Sequence, residues 1–324
     1  MSNKNLCKAK KEKNDEFYTF YKDIAKEMKY YKKELEGKVI YLPCDNPKWS
    51  NFYKYFKRNY KKLKLKGLIA TYYDITNLIT IKTTFYGDVK QEEVLNNNGD
   101  FFLNKEILNE CDVVITNPPF SLFRDFMKIL NDYNKEYIII GNINFISCKI
   151  VFELIFYDKL FLGGTRVNRF YTPTKEIKPV SCYWYTNIKV KKKIPFLKLT
   201  KKYTPEDYPK YDNYNVINVD KVADIPYDYD DVMGVPISFL EKYNSEQFEI
   251  LGEATRGCHD FFPDTKKYDT YWQVKQNGIK TKASGKKINE NGVLVMNDKR
   301  HDYYINKDGR IVQSVYSRIF IRKK

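Results

Sequence analysis

Cys111-Asp112-Val113-Val114-Ile115-Thr116 runs straight into Asn117-Pro118-Pro119-Phe120. The first part is a short apolar run, the pattern of a strand buried on both faces of a parallel sheet. The second part stops it, because two successive prolines fix φ and have no backbone N–H to continue a ladder. Ser121 then opens a helical pattern through Leu130, with Phe123, Phe126, Met127 and Leu130 at helical spacing. Strand, rigid turn and helix in that order are the repeating unit of α/β sheets.

Working outward, Val39–Leu42, Gly67–Tyr73 and Tyr137–Gly141 are further apolar runs of strand length. Helical patterns lie between them: Phe20 to Glu34 with Gly37 past its end, a segment that Ser50 can cap with Phe52, Tyr55 and Phe56 on its face, Lys105–Asn109, and Cys148–Tyr157. Leu78–Tyr86 reads as an inserted hairpin and Asn96–Gly99 as a turn. The alternation predicts an α/β, Rossmann-like sheet with its ligand crevice at the carboxyl ends of the strands. Pro43–Pro47, Thr71–Asp74 and Asn117–Phe120 all fall at such ends. Beyond about Thr165 the pattern changes to strand-like pieces (Val180–Ile188, Phe248–Leu251, Val293–Met296, Ile311–Ile321) between long polar loops. The expected division is therefore residues 1–165 as one α/β domain and residues 166–324 as a mixed α+β region.

The bulk properties exclude several classes. No stretch is long and apolar enough to span a membrane, and the polar, lysine-rich start lacks the apolar run of a signal peptide, so a cytoplasmic protein is expected. The six cysteines form no CxxC pair and only two histidines are present, so neither a zinc site nor a disulfide framework is expected. The acids at 112, 228, 230 and 231 read as a strand start and a solvated turn rather than a nuclease metal site. The net charge of +16 suits a polyanionic partner, although a lysine-rich proteome alone would produce an excess. The distribution says more. Arg166 to Lys202 holds eleven Lys or Arg against one acid, Tyr203 to Val274 holds six against fifteen, and Lys275 to Lys324 holds thirteen against four. Two basic blocks flanking an acidic middle favour an electrostatic footprint for phosphates. Arg166, Arg169, Lys191, Lys192 and Lys193 are its candidate contacts in the first block.

The Asn-Pro-Pro-Phe turn has a chemical logic. Methyl transfer to an exocyclic amine needs acceptors aimed at the two N–H bonds, so that the nitrogen lone pair faces the electrophile. The side-chain oxygen of Asn117 and the carbonyl of Pro118 can supply them on a turn held rigid by Pro119. Phe120 offers a face on which a base taken out of its stack can rest, worth about 1–3 kcal/mol.

With these residues in view, the chain resembles the EcoRI-type adenine-specific methyltransferase family. The resemblance is carried by Asn14–Thr19, Cys44–Pro47, Gly99–Phe101, Val114–Arg124, Gly141-Asn142, Cys182–Asn187 and Met233–Phe239. It implies an S-adenosylmethionine-dependent enzyme that methylates N6 of a flipped adenine in duplex DNA, with Asn117, Pro118, Pro119 and Phe120 catalytic. It implies that Phe17 and Thr19 close over the cofactor, with an ordinary helix entry as their other reading, and that Pro43, Cys44 and Asp45 stand in the cofactor loop, Asp45 facing the methionine ammonium, with an Asx turn as its other reading. Asp100 and Phe101 would hold the cofactor's adenine, with a helix cap as the other reading of Asp100. A cognate restriction endonuclease sharing the site is the implied partner, and residues 166–324 the implied target-recognition region. Two departures stand out: the glycine-rich loop after the first strand is absent, and the second strand lacks the usual ribose-binding acid, for which Asp74 is the substitute candidate. An RNA adenine methyltransferase and a catalytically silent DNA-binding protein are the alternatives.

Overall fold

The computed structural model describes residues 17–74, 76–95, 105–189, 195–254, 266, 272–274, 279–282, 291–296, 303–305, 309–315 and 318–324, in two compact units that divide at Lys192/Lys193. In the first unit the strands are β1 (Val39–Pro43), β2 (Gly67–Asp74), β3 (Ile79–Tyr86), β4 (Val89–Leu95), β5 (Val113–Thr116), β6 (Glu136–Asn142), β7 (Phe161–Tyr171) and β8 (Ile177–Thr186). They form one sheet of order β4-β3-β2-β1-β5-β6-β8-β7. The middle four, β2-β1-β5-β6, are parallel, and the outer pairs run antiparallel to their neighbours. The fold is the expected α/β, Rossmann-like sheet. Its helices are α1 (Tyr21–Glu27), α2 (Asn51–Asn59), α3 (Lys105–Glu110), α4 (Phe123–Asp132) and α5 (Lys149–Phe156).

The apolar runs are continuous because both sheet faces are covered. Ile40, Leu42, Leu68, Ala70, Val113, Ile115, Ile138 and Ile140 share one core cluster with Ile24 and Met28 at α1 and Phe52 and Phe56 of α2. Ser50 caps α2 as its position suggests, its hydroxyl accepting from the N–H groups of Phe52 and Tyr53.

Three expectations need correction. The helix expected through Glu34 ends its regular part at Glu27 and tightens into a 3-10 turn, Met28–Tyr31. The hairpin expected within Leu78–Tyr86 is one strand, whose partner β4 follows the turn at Gly87 (φ 71°). The division at 165 is too early. β7 and β8 extend the first sheet, and β8 closes the open edge of β6 through pairs such as Ile140 with Trp184. The change of texture near Thr165 marks the end of the parallel βα units, not of the sheet.

Buried polar contacts seat α1 against β7. Glu27, fully buried, accepts from the N–H groups of Gly164 and Thr165 at 2.7 Å each, from the Thr165 hydroxyl at 2.6 Å and from Tyr31 at 2.9 Å. These are residues of the irregular stretch where β7 and β8 shift register between Leu162 and Arg166.

The second unit holds a four-stranded sheet, from Phe248–Glu253 through Arg318–Lys323 and Met233–Pro236 to Ile217–Asn218, and a five-stranded antiparallel sheet that includes Trp272–Val274 and Val293–Val295. The piece expected as Ile311–Ile321 splits into Ile311–Ser314 and Arg318–Lys323, one in each sheet. Part of its basic character is used internally. Arg318 is buried with its Nε on Asn218 Oδ1 at 3.2 Å, while Arg322 pairs with Glu249 and Lys323 with Asp230, each at 2.9 Å. No helix among the described residues is long and apolar enough to cross a membrane.

Gly141 on β6 lets the Phe123 ring lie against the strand; a Cβ there would meet that ring at 2.3 Å. Gly141→Ala is expected to lower stability by about 1–3 kcal/mol through overpacking, read from urea denaturation midpoints. A change below about 0.5 kcal/mol would contradict this packing.

Candidate active site

The ends of β1 and β5 are level. Ile40 pairs with Val113 and Tyr41 with Val114, and at the far end the Thr116 hydroxyl meets the Pro43 carbonyl at 2.7 Å. Thr71 of β2 is level with Pro43. Asn117 therefore leaves the sheet beside the loop that follows β1.

That loop begins with Cys44 at φ 63°, the left-handed region that glycine adopts without steric cost. The chain thus makes the turn expected of a glycine-rich loop with a cysteine, a conformation that costs an L-residue about 1–2 kcal/mol. Asp45 follows. Its N–H donates to the Thr71 carbonyl at 3.0 Å, and its carboxyl group is buried. Oδ1 accepts from the Ser50 hydroxyl, and Oδ2 lies 3.1 Å from Thr116 Oγ1. The Thr116 hydroxyl has one proton and two oxygens in reach. That proton is directed to the Pro43 carbonyl on the shorter contact and to Asp45 Oδ2 on the longer one. Burial pushes the Asp45 carboxyl up to about 7, against the opposing pull of the hydrogen bonds from Ser50 and Thr116.

Across from this loop runs the extended segment Phe17–Phe20. In an extended chain the carbonyls of alternate residues face the same way. Tyr18 pairs with Tyr171 of β7 through its N–H at 2.8 Å and its carbonyl at 2.9 Å. The carbonyls of Phe17 and Thr19 bond elsewhere, Phe17 accepting from Asn117 Nδ2 at 2.6 Å and Thr19 from Asn51 Nδ2 at 2.8 Å. Asn117 Oδ1 is buried and accepts no hydrogen bond among the described residues, and the Thr19 hydroxyl is likewise buried without a partner.

Around Asn117 stands a group of rings. Phe120 is half-buried, with Phe17 at 5.2 Å and Phe145 and Phe170 at 6.2 Å each between ring centres. Phe145 stacks on Phe123 at 4.4 Å and 7°. Cations sit at its margin: Lys178 lies 5.3 Å from the Phe17 ring centre, Arg169 lies 5.4 Å from that of Phe20, and Arg166 rests over Tyr183 at 5.2 Å. Arg166, Arg169 and Lys178 are all exposed.

Of the residues singled out in the sequence, Phe17, Thr19, Pro43, Cys44, Asp45, Asn117 and Phe120 belong to one connected neighbourhood, with Pro118 and Pro119 in the turn between. The Pro119 carbonyl accepts from Leu122 N–H at 2.9 Å and starts the 3-10 turn Phe120–Leu122. Asp74 sits apart. β2 continues three residues past Thr71, and Asp74 lies at the hairpin turn to β3, accepting from Thr76 N–H at 3.0 Å and from the Asn77 amide at 2.9 Å. The Asn77 amide also holds its carboxyl below the usual range. Asp100, Phe101, Lys191, Lys192 and Lys193 lie outside the described residues. Sequence reasoning missed Asn51, Thr116, Phe145 and Phe170. Phe145 was within reach, since it follows the end of a fourth parallel strand. Phe170 was not, because its strand seemed to belong to another domain.

A parallel strand that ends in Asn-Pro-Pro-Phe, with the asparagine oxygen unpaired among the described residues and beside an aromatic group, is the arrangement of a methyltransferase that acts on an exocyclic amine. The match is specific: the family of the adenine-specific methyltransferase EcoRI covers residues 5–324, and the chain belongs to it. It is 42% identical over 290 residues to the Type II methyltransferase M.EcoRI of Escherichia coli, covering 77% of this chain and 89% of that one. It is 34% identical over 305 residues to the Type II methyltransferase M.MgeORF184P of Mycoplasma genitalium, covering 86% and 95%. With the Type II methyltransferase M.MpnI of Mycoplasma pneumoniae it shares 33% over 271 residues, covering 75% and 84%.

Two predictions follow from the loop after β1. Cys44→Gly is expected to fold with stability within about 1 kcal/mol of wild type, whereas Cys44→Val, β-branched in a left-handed position, loses about 2 kcal/mol; equal effects on the denaturation midpoint would contradict the φ argument. For Asp45 the folded-state pKa is raised from 3.8 to about 7. Its contribution to stability is complete below the unfolded value and is lost as pH rises through about 7, at up to roughly 1.4 kcal/mol per pH unit. Asp45→Asn, with no proton to lose, should therefore gain on wild type between about pH 5 and pH 8. Parallel stability curves would show that Asp45 is ionised in the folded protein throughout.

Proposed function

We propose that this adenine-specific DNA methyltransferase transfers the methyl group of S-adenosylmethionine to N6 of an adenine extruded from duplex DNA. Asn117 Oδ1 and the Pro118 carbonyl accept the two N–H bonds of the amine, while Phe120 bears the face of the base. The observation that carries this reading is the state of the Asn117 amide. Its donor end is committed to Phe17, and its acceptor end is buried with no partner among the described residues, at a cost that a ligand N–H would offset.

S-adenosylmethionine supplies an electrophilic methyl group when bound. The residues present suit it: the loop Pro43–Cys44 approaches with the turn a glycine would make, and the Thr19 hydroxyl, buried and unpartnered, offers a polar group on the opposite side. Phe17 and Thr19 would cover the cofactor, and Pro43 and Cys44 would line its loop. Asp45 would support that loop from beneath, Asp74, at its hairpin turn, remains only the ribose candidate, and Asp100 and Phe101 are the adenine candidates. The protein needs no strong base, because the accepted N–H bonds turn the nitrogen lone pair toward the methyl group.

On this reading residues 1–192 carry out transfer and residues 193–324 read the target. Arg166 and Arg169, together with Lys191–Lys193, hold backbone phosphates, which fix register without specifying sequence. A cognate restriction endonuclease that shares the recognition site is the partner this reading suggests, an orphan enzyme being equally compatible with it.

Asn117→Ala is expected to lower the single-turnover rate of methylation at least about 100-fold while leaving DNA affinity within a few-fold, as loss of a transition-state acceptor does. Methylation at the wild-type rate would overturn the mechanism. Phe120→Ala should reduce extrusion of the target base, read by fluorescence of 2-aminopurine at that position, more than it reduces binding to non-specific DNA. Equal losses in the two measurements would remove the stacking role.

A further inference from the structure

The hydrogen bonds around Asn117 close into a ring. From Asn117, the amide reaches the Phe17 carbonyl at 2.6 Å. Two residues on, the Thr19 carbonyl accepts from Asn51 at 2.8 Å. The next residue back from Asn51 is Ser50, whose hydroxyl donates to Asp45 Oδ1. Asp45 Oδ2 then meets Thr116 Oγ1 at 3.1 Å, and Thr116 is bonded to Asn117. Four separate parts of the chain are tied together: the loop after β1, the end of β5, the first turn of α2 and the segment before α1.

We infer that Asp45 and Asn51 are positioning residues for methyl transfer, acting through Thr116 and the Phe17–Thr19 segment to keep the Asn117 amide turned with its oxygen toward the target amine. The inference rests on the reading of Asn117 Oδ1 as the acceptor of that amine.

The physical need is specific. The two ends of an asparagine amide have nearly the same shape, and a half-turn exchanges acceptor for donor. A flipped Asn117 would present N–H groups to an amine that is itself a donor, and the lone pair would not be aligned. The Phe17 carbonyl selects the correct orientation, but a single extended segment can slide. Tyr18 pairs with Tyr171 on one side of the segment, and Asn51 fixes the other side through Thr19. The opposite anchor of the ring is Thr116, half-turned toward Asp45 and wholly buried with it. Neither Asp45 nor Asn51 donates to Asn117 itself, so both act at one remove.

Asn51 offers a clean test because it is the first residue of α2. An aspartate there favours the helix N-terminus, yet cannot donate to the Thr19 carbonyl. Asn51→Asp loses that bond but gains a favourable charge at the helix N-terminus, so the melting temperature is expected to stay within a few degrees of wild type and affinity for duplex DNA to be kept. It should also keep extrusion of 2-aminopurine, while its single-turnover methylation rate at saturating DNA and S-adenosylmethionine falls about ten-fold. Asn51→Ala, free of the added charge, should fall to a similar extent. Thr116→Val should also lose about ten-fold and Thr116→Ser, which keeps the hydroxyl, should recover most of it. Asp45→Ala should lose as Thr116→Val does, with recovery in Asp45→Asn, whose amide can donate to Thr116.

A ring opened once has already lost its constraint, so Asn51→Ala with Thr116→Val should stay within about three-fold of the weaker single variant. A double variant slower by the product of the two losses, about 100-fold, would show two independent effects and overturn the inference. So would an Asn51→Asp enzyme with the wild-type single-turnover rate. Should Thr116→Val fail to fold, Asn51→Asp decides alone, since its rate is read on a protein of near wild-type melting temperature. Failure of this inference is distinct from failure of the catalytic reading. If Asn117→Ala abolishes methylation while the Asn51 and Thr116 variants do not slow it, only the ring falls. If Asn117→Ala leaves methylation intact, the reading beneath it falls as well.

Discussion

The bond from Asn117 Nδ2 to the Phe17 carbonyl joins residues one hundred positions apart and decides which end of an amide is left for a ligand. Much of the first unit bears on that bond. The Phe17 carbonyl has its place because Tyr18 pairs with Tyr171, so the outermost strand of the sheet contributes to the site. β7 in turn depends on β8, which closes the edge of β6, and on buried Glu27, which holds its irregular stretch through Gly164 and Thr165. The antiparallel extension thus helps to hold the segment that bonds Asn117, although Asn117 itself stands at the end of a strand of the parallel core.

A second theme is how few charges the interior of the site uses. Asp45 is buried with no cationic partner among the described residues and is bonded to hydroxyl groups, a situation in which burial shifts the carboxyl toward its neutral form. The Asn117 amide, the Thr19 hydroxyl and the four phenylalanine rings near it are likewise uncharged. Such a setting suits a reaction that depends on the alignment of an amine lone pair more than on proton removal. The left-handed Cys44 belongs to the same economy of shape. The backbone makes the tight turn that a cofactor loop requires, and the surrounding bonds of Asp45 to Thr71, Ser50 and Thr116 hold it there.

The positive charge of the chain divides differently from its sequence. Arg166, Arg169 and Lys178 stand exposed on β7 and β8, beside rings that lead toward Phe120. In the second unit, Arg318, Arg322 and Lys323 are partly neutralised by Asp220, Glu249 and Asp230. The acidic middle segment and the basic end of the chain therefore meet within one unit. Their opposition along the sequence is partly cancelled in space, which a count of residues could not reveal.

The sequence by itself determined the chemistry and the parallel core. Continuous apolar runs forced strands buried on both faces, Ser50 capped its helix, and two prolines could only end β5 in a rigid turn bearing Asn117. These are local consequences of φ restriction, side-chain shape and period, and they need no distant partner. Tertiary structure decided what depended on register and on long-range pairing. It assigned β7 and β8 to the first sheet and paired β2 with β3 through Asp74, so that Asp74 came to lie at a hairpin. It also turned Asp45 inward and selected the orientation of the Asn117 amide. Hydrogen bonds between segments tens to more than a hundred residues apart leave no periodic trace along a chain, so the residues bonded around Asn117 became legible only when the sheet had brought them together.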